Sequence, residues 1–263
     1  MLPSTLAAGA FLTAHAKKEL DWTLPIAKGA KQMSARRVQE YLSLHGFAVA
    51  IDGDFGPATE HALMSFQTKR GLTASGVVDA PTFDALAEPL VQALQPISGA
   101  GKKLSDLTLD YALQHVAQHP VEVGGPNSGP WVRLYLGFEG PGALWCAGFA
   151  CYPLRQAADT LGVSMPIAPS ASCDVLAQGA KAAGSFLAEA KVKTAADRAK
   201  IKPGSFFLVR ATDQDWTHVG IVSKADADAF GTVEGNSNSN GSSNGFEALQ
   251  STRGYAKKDF IVW

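Results

Sequence analysis

Two cysteines lie five residues apart in the segment LWCAGFACY, at positions 146 and 151. A thiol in such a segment can pack, bind a metal or act as a nucleophile. The loop GFEGPGAL precedes Cys146, so the sequence predicts that a helix begins close to this residue. Unpaired N–H groups in the first turn of a helix stabilise a thiolate. We therefore expect Cys146 to be the reactive thiol. Cys151, about 140° further around the helix, should pack as a small hydrophobic residue.

Pro153 leaves an alternative open, because a proline inside a helix removes one backbone hydrogen bond. A helix that instead begins near Pro153 would make Cys151 the thiol at the helix terminus. The chain contains one more cysteine, Cys173, and three thiols cannot all pair with one another. At least one thiol is therefore free.

A nucleophilic cysteine also needs a base within hydrogen-bond reach and a third group that orients the base. Of the six histidines, only His218, in DWTHVGIVSK, lies on a predicted strand. The next predicted strand ends in Glu234 and Asn236, which are two residues apart and are expected on one face of the sheet. Either side chain could accept the second ring N–H of His218, and both remain candidates.

Several other motifs are incomplete. His115 and His119 have the one-turn spacing that suits zinc, but the glutamate that follows the first histidine in zinc proteases is missing. GSSNG lacks the strand-to-helix context and the later histidine of a serine hydrolase. The loop from Asp52 starts like a calcium loop, but Pro57 and Leu63 stand where glycine and glutamate are needed. We expect no metal and no cofactor.

Residues 29–93 have the pattern of a small helical domain that follows an N-terminal segment, residues 1–28. We expect a first helix with Ser34 as its N-cap and Gly46 as its stop. A second helix should contain Pro57 in its first turn, and Asp79 should cap a third. The pattern therefore predicts three short helices around one core.

The segments VQEYLSLHGF, DGDFGPATEHALMSFQTKRGL and GVVDAPTFDAL resemble the peptidoglycan-binding domain family that accompanies many cell-wall hydrolases. The resemblance implies a module that holds the murein polymer. Its candidate contacts with the polymer are Asp52, Asp54 and Phe55. For the two aspartates, we expect loop and capping roles ahead of direct contact with the polymer.

Residues 94–104 mix proline, glycine, serine and lysine and are interpreted as a linker. From Ser105, helical patterns are followed by the β-rich runs GSFFLVRA, THVGIVSKA, FGTVEG and FIVW, which indicates an α+β fold. WCAGFACY, THVGIV and VEGN, in that order, resemble the CHAP family of cysteine- and histidine-dependent amidohydrolases and peptidases. GGPNSGPWVRLYLG and RGY…FIVW are also similar to that family, so the resemblance spans residues 105–263.

The CHAP resemblance implies a papain-like domain that cleaves amide bonds of peptidoglycan. It implies that Cys146 is the nucleophile, His218 the base and Glu234 or Asn236 the orienting group. The cleaved bond is either the N-acetylmuramoyl-L-alanine amide or a bond of the stem peptide. Three further residues are candidate substrate contacts: Trp145, Trp216 and Asn127.

The bulk composition narrows the class of partner. Lys plus Arg (23) against Asp plus Glu (24) gives a net charge of −1, so no basic surface is expected for nucleic acid or anionic lipid. No apolar run approaches the roughly 20 residues of a membrane span, and the N-terminus lacks the basic start of a secretory signal. We expect a soluble monomer that acts on the bacterial cell wall as a phage endolysin. An interbacterial toxin with the same chemistry and a non-catalytic wall-binding protein are the alternatives.

Overall fold

The computed structural model describes all 263 residues, which form two compact units. The first unit contains Met1–Gln95 and Val121–Ala143, and the second contains Pro96–Pro120 and Leu144–Trp263. The change of unit after Gln95 falls in the segment interpreted as a linker. The assignment of Val121–Ala143 to the first unit differs from the sequence-based division, which placed this segment in the C-terminal domain.

The secondary structure is mixed. In chain order the helices are α1 (Ala14–Leu20), α2 (Gln32–Leu44), α3 (Pro57–Lys69), α4 (Ala80–Ala93), α5 (Leu104–Val116), α6 (Pro130–Leu136), α7 (Cys146–Leu161), α8 (Cys173–Ala183) and α9 (Ala195–Arg198). The strands are β1 (Phe186–Leu187), β2 (Phe206–Thr212), β3 (Asp215–Ala225), β4 (Ala229–Ser237), β5 (Glu247–Gly254) and β6 (Lys258–Ile261). The predicted α+β class is confirmed. None of these helices is both long and apolar enough to cross a bilayer.

The helix boundaries of the first unit follow local signals, with one exception. Pro57 is the first residue of α3, and the Asp79 carboxylate caps α4 by accepting from the Thr82 amide, as predicted. Gly46, with φ of 80°, follows the end of α2. Ser34 is not the N-cap, because α2 begins two residues earlier and Ser34 lies inside its first turn.

Two buried glutamines hold the turns that follow α2 and α3. The side-chain amide of Gln39 donates to the Asp52 carboxylate at 2.7 Å, and its oxygen accepts from the Gly53 amide at 3.0 Å. The Gln67 oxygen accepts from the Gly76 amide in the same way, also at 3.0 Å. Each glutamine oxygen therefore supplies a hydrogen-bond acceptor for a backbone amide of the turn that follows its helix.

The N-terminal segment forms part of the core of the first unit. Trp22 is buried, stacks on Phe83 with ring centroids 4.7 Å apart, and meets the edge of Tyr41 at 5.0 Å. Its indole N–H donates to the Glu19 carbonyl. Residues 1–28 are therefore packed in the domain that they precede in the sequence.

A largely enclosed arginine, whose side chain is 12 % exposed, explains why Val121–Ala143 belongs to the first unit. Arg133, on α6, donates to Glu19 of α1 at 2.8 Å and to Glu40 of α2 at 2.6 Å. It also contacts Glu139 at 2.7 Å. Glu19 and Glu40 are buried, so each needs a cationic partner to remain charged. Arg133 supplies this partner across 93 and 114 positions of sequence.

The second unit is built on one antiparallel sheet, in the order β1-β6-β2-β3-β4-β5. Helix α7 packs on β3 and β4, and α8 packs on β3. The contact between α7 and β4 is close at Gly235, where an added Cβ would lie 2.5 Å from Phe149. Glycine therefore lets the backbone of β4 approach the helix that carries Cys146.

Six elements were not predicted from the sequence: the helices α1, α6, α8 and α9, and the strands β1 and β5. Strand β1 has only two residues, and α6 follows directly on a loop rich in glycine and proline. Strand β5 is an edge strand with an alternating pattern that reads EALQSTRG, in which the apolar content is low. Pairing with β4, rather than the apolar content of its own sequence, defines β5.

Candidate active site

Cys146 is the first residue of α7, and Trp145 is its N-cap. The helix continues through Pro153 to Leu161, so the alternative of a helix that begins at Pro153 is wrong. The backbone amides of the first turn have no partner within the helix, and the helix dipole is positive at this end. The Cys146 sulfur therefore lies at the point of α7 that best stabilises a thiolate.

The structure brings His218 of β3 to the Cys146 thiol. A hydrogen bond from Cys173 lowers the pKa of Cys146 well below its usual value, although burial opposes this change. The positive charge of the nearby His218 ring lowers the pKa of Cys146 further. The arrangement favours a thiolate–imidazolium pair, which is the reactive form of a cysteine nucleophile.

The other side of the His218 ring contacts Glu234 of β4. The Nε2 atom of His218 lies 2.8 Å from Oε2 of Glu234, and both side chains are fully buried. This contact leaves Nδ1 as the second ring nitrogen, which is buried and makes no hydrogen bond within the protein. Burial disfavours the charged ring, but the interactions with Cys146 and Glu234 raise the pKa of His218 to about 9.

The Glu234 carboxylate is held by a further residue that the sequence analysis did not select. Arg253 of β5 donates from Nε to Oε1 at 2.7 Å and from Nη2 to Oε2 at 2.5 Å. The Thr232 hydroxyl donates to Oε1 at 2.6 Å. Burial alone would raise the pKa of Glu234, but the bonds from Arg253 and His218 lower it to about 2. Arg253 lies in the segment RGY, which carried the CHAP resemblance without a role for the arginine.

Asn236 does not share the position of Glu234. The pairing of β4 with β5 shifts register between Glu234 and Ser237, and Asn236 has φ of 53°. This bulge interrupts the alternation of faces on which the sequence analysis relied. The Asn236 carbonyl accepts from the Gly245 amide at 2.9 Å. Of the two candidates for the orienting group, the structure pairs Glu234 with His218.

Cys173 is a second member of the site that the sequence analysis did not select. It is the first residue of α8, and its sulfur lies 3.9 Å from the Cys146 sulfur. The hydrogen bond to Cys146 and burial both raise the pKa of Cys173. The next residue, Asp174, accepts a hydrogen bond at 2.7 Å from the backbone amide of Trp216. This bond connects α8 to β3. No motif in the sequence marks Cys173, because its place in the site depends on the approach of α8 to α7.

Cys151 lies apart from this cluster of polar contacts. Its sulfur is buried and lies 3.7 Å from the Ser170 carbonyl oxygen. Burial raises the pKa of Cys151 to about 11, so it is a neutral thiol at physiological pH. The structure thus gives Cys151 the packing environment that the sequence analysis expected.

The two tryptophans proposed as substrate contacts are buried. Trp145 is fully buried and packs edge-on against Phe149, with centroids 6.4 Å apart. Trp216 is 4 % exposed, and its indole N–H donates to Asp259 at 2.9 Å. Neither ring presents a free aromatic face, so both support the site from inside the protein.

Asn127, the third proposed substrate contact, belongs to the first unit. It is buried, with φ of 48°, and its side-chain amide donates to the Pro141 carbonyl at 3.3 Å. Its backbone amide donates to Glu122 at 2.8 Å. Asn127 therefore joins two loop segments of the first unit.

The residues proposed to contact the polymer in the peptidoglycan-binding module have mainly structural positions. Phe55 is fully buried and is a core residue. Asp52 accepts from Gln39 and from the Asp54 amide, as expected of a loop aspartate. Asp54 is exposed and pairs with Lys31 at 2.5 Å. Asp52 and Asp54 are both exposed, whereas Phe55 offers no surface to a polymer.

His115 lies in α5 and His119 follows the end of that helix, and the two do not form part of a metal-binding group. His115 is buried and contacts the Gln156 side chain at 2.8 Å. Burial lowers the pKa of His115 to about 4. Throughout the chain, no group of three or more His, Cys, Asp or Glu side chains is arranged to hold a metal ion.

Two comparisons with known proteins found similarities to parts of this chain. Residues 34–86 match the family described as "Putative peptidoglycan binding domain". A stretch of 94 residues is 28 % identical to the zinc D-Ala-D-Ala carboxypeptidase of Streptomyces albus G. The match covers 35 % of this chain and 37 % of that enzyme. Residues 34–86, in the N-terminal helical domain, are therefore similar to peptidoglycan-binding domains.

Proposed function

We propose that this protein hydrolyses an amide bond of peptidoglycan with the Cys146 thiolate, while its helical domain binds the polymer. The observation that supports the chemistry is the arrangement of three buried groups. Cys146 heads α7, His218 reaches its sulfur, and Glu234 holds the far side of the imidazole at 2.8 Å. A nucleophile, a base and an orienting carboxylate in this order form a complete unit for acyl transfer.

Each residue has a defined task in the proposed reaction. The Cys146 sulfur attacks the amide carbonyl, and backbone N–H groups at the start of α7 stabilise the oxyanion. Protonated His218 donates its proton to the leaving amine, and the carbon–nitrogen bond breaks. Neutral His218 then removes a proton from water, which attacks the thioester and releases Cys146.

Glu234 keeps the ring of His218 in the orientation that points Nδ1 at the sulfur, and it stabilises the imidazolium. Arg253 acts one step further away, as a positioning residue for the Glu234 carboxylate. Cys146 is only 3 % exposed, so binding of a stem peptide must move the groups that cover the sulfur. The proposal therefore includes an opening step before the attack.

Peptidoglycan as the substrate is supported by the family match at residues 34–86 and by the similarity to a D-Ala-D-Ala carboxypeptidase. The name of that enzyme includes zinc, but the second unit of this chain has no set of side chains that fits a zinc ion. We therefore assign the chemistry to the thiolate of Cys146. A phage endolysin is the biological role that we propose for an enzyme of this kind.

The test uses the full chain and purified murein sacculi. We expect release of soluble fragments in the presence of a reductant, and loss of this release after alkylation with iodoacetamide. Mass spectrometry of the fragments identifies the cleaved bond as the N-acetylmuramoyl-L-alanine amide or a stem-peptide bond. Activity that survives complete alkylation of Cys146, or that requires added zinc, would overturn the thiolate mechanism.

A further inference from the structure

Two thiols from different helices meet at the candidate active site. Cys146 and Cys173 are each the first residue of a helix, and their sulfur atoms lie 3.9 Å apart. A disulfide bond has a sulfur–sulfur length near 2.05 Å, so the two atoms need to approach by about 1.9 Å. Rotation about the Cα–Cβ bonds can move the sulfurs without moving the two helices as bodies.

From this geometry we propose that Cys146 and Cys173 form a reversible disulfide that switches the enzyme off under oxidising conditions. The loss of catalysis rests on the proposed function, because it assumes that Cys146 is the nucleophile. Formation of the disulfide rests on the geometry alone. Cys173 is the resolving cysteine in this scheme.

The two thiols differ in the way that a redox pair requires. Oxidation begins at the thiolate, and the contacts with Cys173 and His218 keep the pKa of Cys146 low. The hydrogen bond to Cys146 and the nearby negative charge keep the pKa of Cys173 high. That charge disappears once Cys146 is oxidised, so Cys173 becomes easier to deprotonate at the moment when it must attack.

A peroxide is the class of oxidant that suits the site. Cys146 and Cys173 are 3 % and 8 % exposed, so a molecule close in size to water has the best access. The Cys146 thiolate attacks one peroxide oxygen, the O–O bond breaks, and the departing hydroxide takes a proton to form water. Cys146 is left as a sulfenic acid, and hydrogen peroxide has accepted two electrons.

The second step closes the disulfide. The Cys173 sulfur attacks the Cys146 sulfur, and the S–O bond of the sulfenic acid breaks. The hydroxide that leaves combines with the proton from Cys173 to give a second water. A small dithiol reverses the reaction by exchange through a mixed disulfide. Without Cys173, the sulfenic acid is exposed to further oxidation to sulfinic acid, which thiols do not reverse.

Cys151 provides an internal control. Cys151 is buried and lies between the other two cysteines in the sequence. Its sulfur contacts the Ser170 carbonyl oxygen, and its pKa is about 11. It is therefore neither a thiolate nor the partner that lies opposite Cys146. Phe149 lies between Cys146 and Cys151 in the sequence, so chymotryptic cleavage after Phe149 places the two cysteines on separate peptides.

The experiment treats the reduced full chain with equimolar hydrogen peroxide, alkylates the remaining thiols, and maps the peptides by mass spectrometry. We expect a peptide pair linked through Cys146 and Cys173, with Cys151 alkylated, and full release of the link by dithiothreitol. Cys151→Ser should give the same link. Cys173→Ser should give no link and should carry Cys146 as sulfenic or sulfinic acid.

The proposal is overturned if Cys146 becomes sulfinic acid in the wild type while Cys173 remains alkylated, or if the link contains Cys151. The thiol map does not depend on catalysis, so the two proposals can fail separately. A protein that forms the link but never cleaves murein disproves only the proposed function. One that cleaves murein in dithiothreitol and forms no link disproves only the redox switch.

Discussion

The Nε2 atom of His218 lies 2.8 Å from Oε2 of Glu234, so one side of the imidazole is occupied by a buried carboxylate and the other faces the Cys146 sulfur. Glu234 in turn receives two bonds from Arg253. The order of these contacts assigns a separate task to each residue. Each task can be tested with a substitution that changes one contact.

The first prediction concerns the choice between two sulfurs. Cys146→Ser should lower murein hydrolysis at least about a thousandfold, because a nucleophile and its base fail as one unit. His218→Ala should cause a loss of similar size. Cys151→Ser should retain activity within a few-fold, since Cys151 only packs in the interior. Dye release from labelled sacculi, with circular dichroism as the folding control, makes the comparison. An active, folded Cys146→Ser protein would refute the assignment.

The second prediction concerns pH. Protonated His218 donates to the leaving amine, and the contacts with Cys146 and Glu234 raise the pKa of His218 to about 9. The proton is therefore present below this pH and is lost as the pH rises through it. We expect kcat/KM to be flat from pH 7 to 8 and to fall above about 9. An alkaline limb centred near 6.5, the ordinary value for histidine, would contradict the observed geometry.

The third prediction concerns Arg253. Its hydrogen bonds are the first cause that lowers the pKa of Glu234, to about 2, against the effect of burial. Arg253→Met should let Glu234 take up a proton at higher pH, so the acidic limb of kcat/KM should move upward. Arg253→Lys keeps the charge but not the two parallel bonds, and should give an intermediate shift. A residue with only a structural role would reduce folded protein and leave the pH profile of the remainder unchanged.

The fourth prediction concerns stability of the first unit. Arg133→Met removes the cation that buried Glu19 and Glu40 share, leaving Glu40 with only Arg36, and should lower the free energy of unfolding by about 3–5 kcal/mol. Arg70→Met removes a partly exposed partner of Glu88 in the same unit, and should cost about 0–1 kcal/mol. Urea unfolding followed by tryptophan fluorescence compares the two. Equal losses would mean that the Arg133 cluster, formed by Arg133 with Glu19, Glu40 and Glu139, contributes little to stability.

The Arg133 cluster also affects how the two units can be separated. The sequence suggests a catalytic fragment that starts at Ser105, after the linker. Such a fragment would contain Arg133 but neither Glu19 nor Glu40, and the buried face of α6 would lose its partners on α1. We expect this fragment to be less soluble than the full chain, measured by the soluble fraction after expression. Substitutions in the full chain are therefore the better test of the catalytic residues.

Local sequence determined where several helices begin, and it placed Cys146 at the start of one of them. A loop of glycine and proline before Cys146, a proline at the start of α3 and an aspartate before α4 act through neighbours within a few residues. Such signals act through backbone hydrogen bonds of the first helical turn. They can therefore be recognised in the sequence without knowledge of the tertiary structure. The strand position of His218 followed in the same way from the apolar pattern of β3.

The partners of these residues depended on tertiary structure. The bulge in β4 selects Glu234 over Asn236, and the pairing of β4 with β5 brings Arg253 to the carboxylate from 19 residues away. The approach of α8 to α7 places Cys173 beside Cys146, although the two are 27 residues apart. Spacing in a sequence reports which residues share a face of one element. Contacts between elements arise from register and packing, which the burial of the whole core determines.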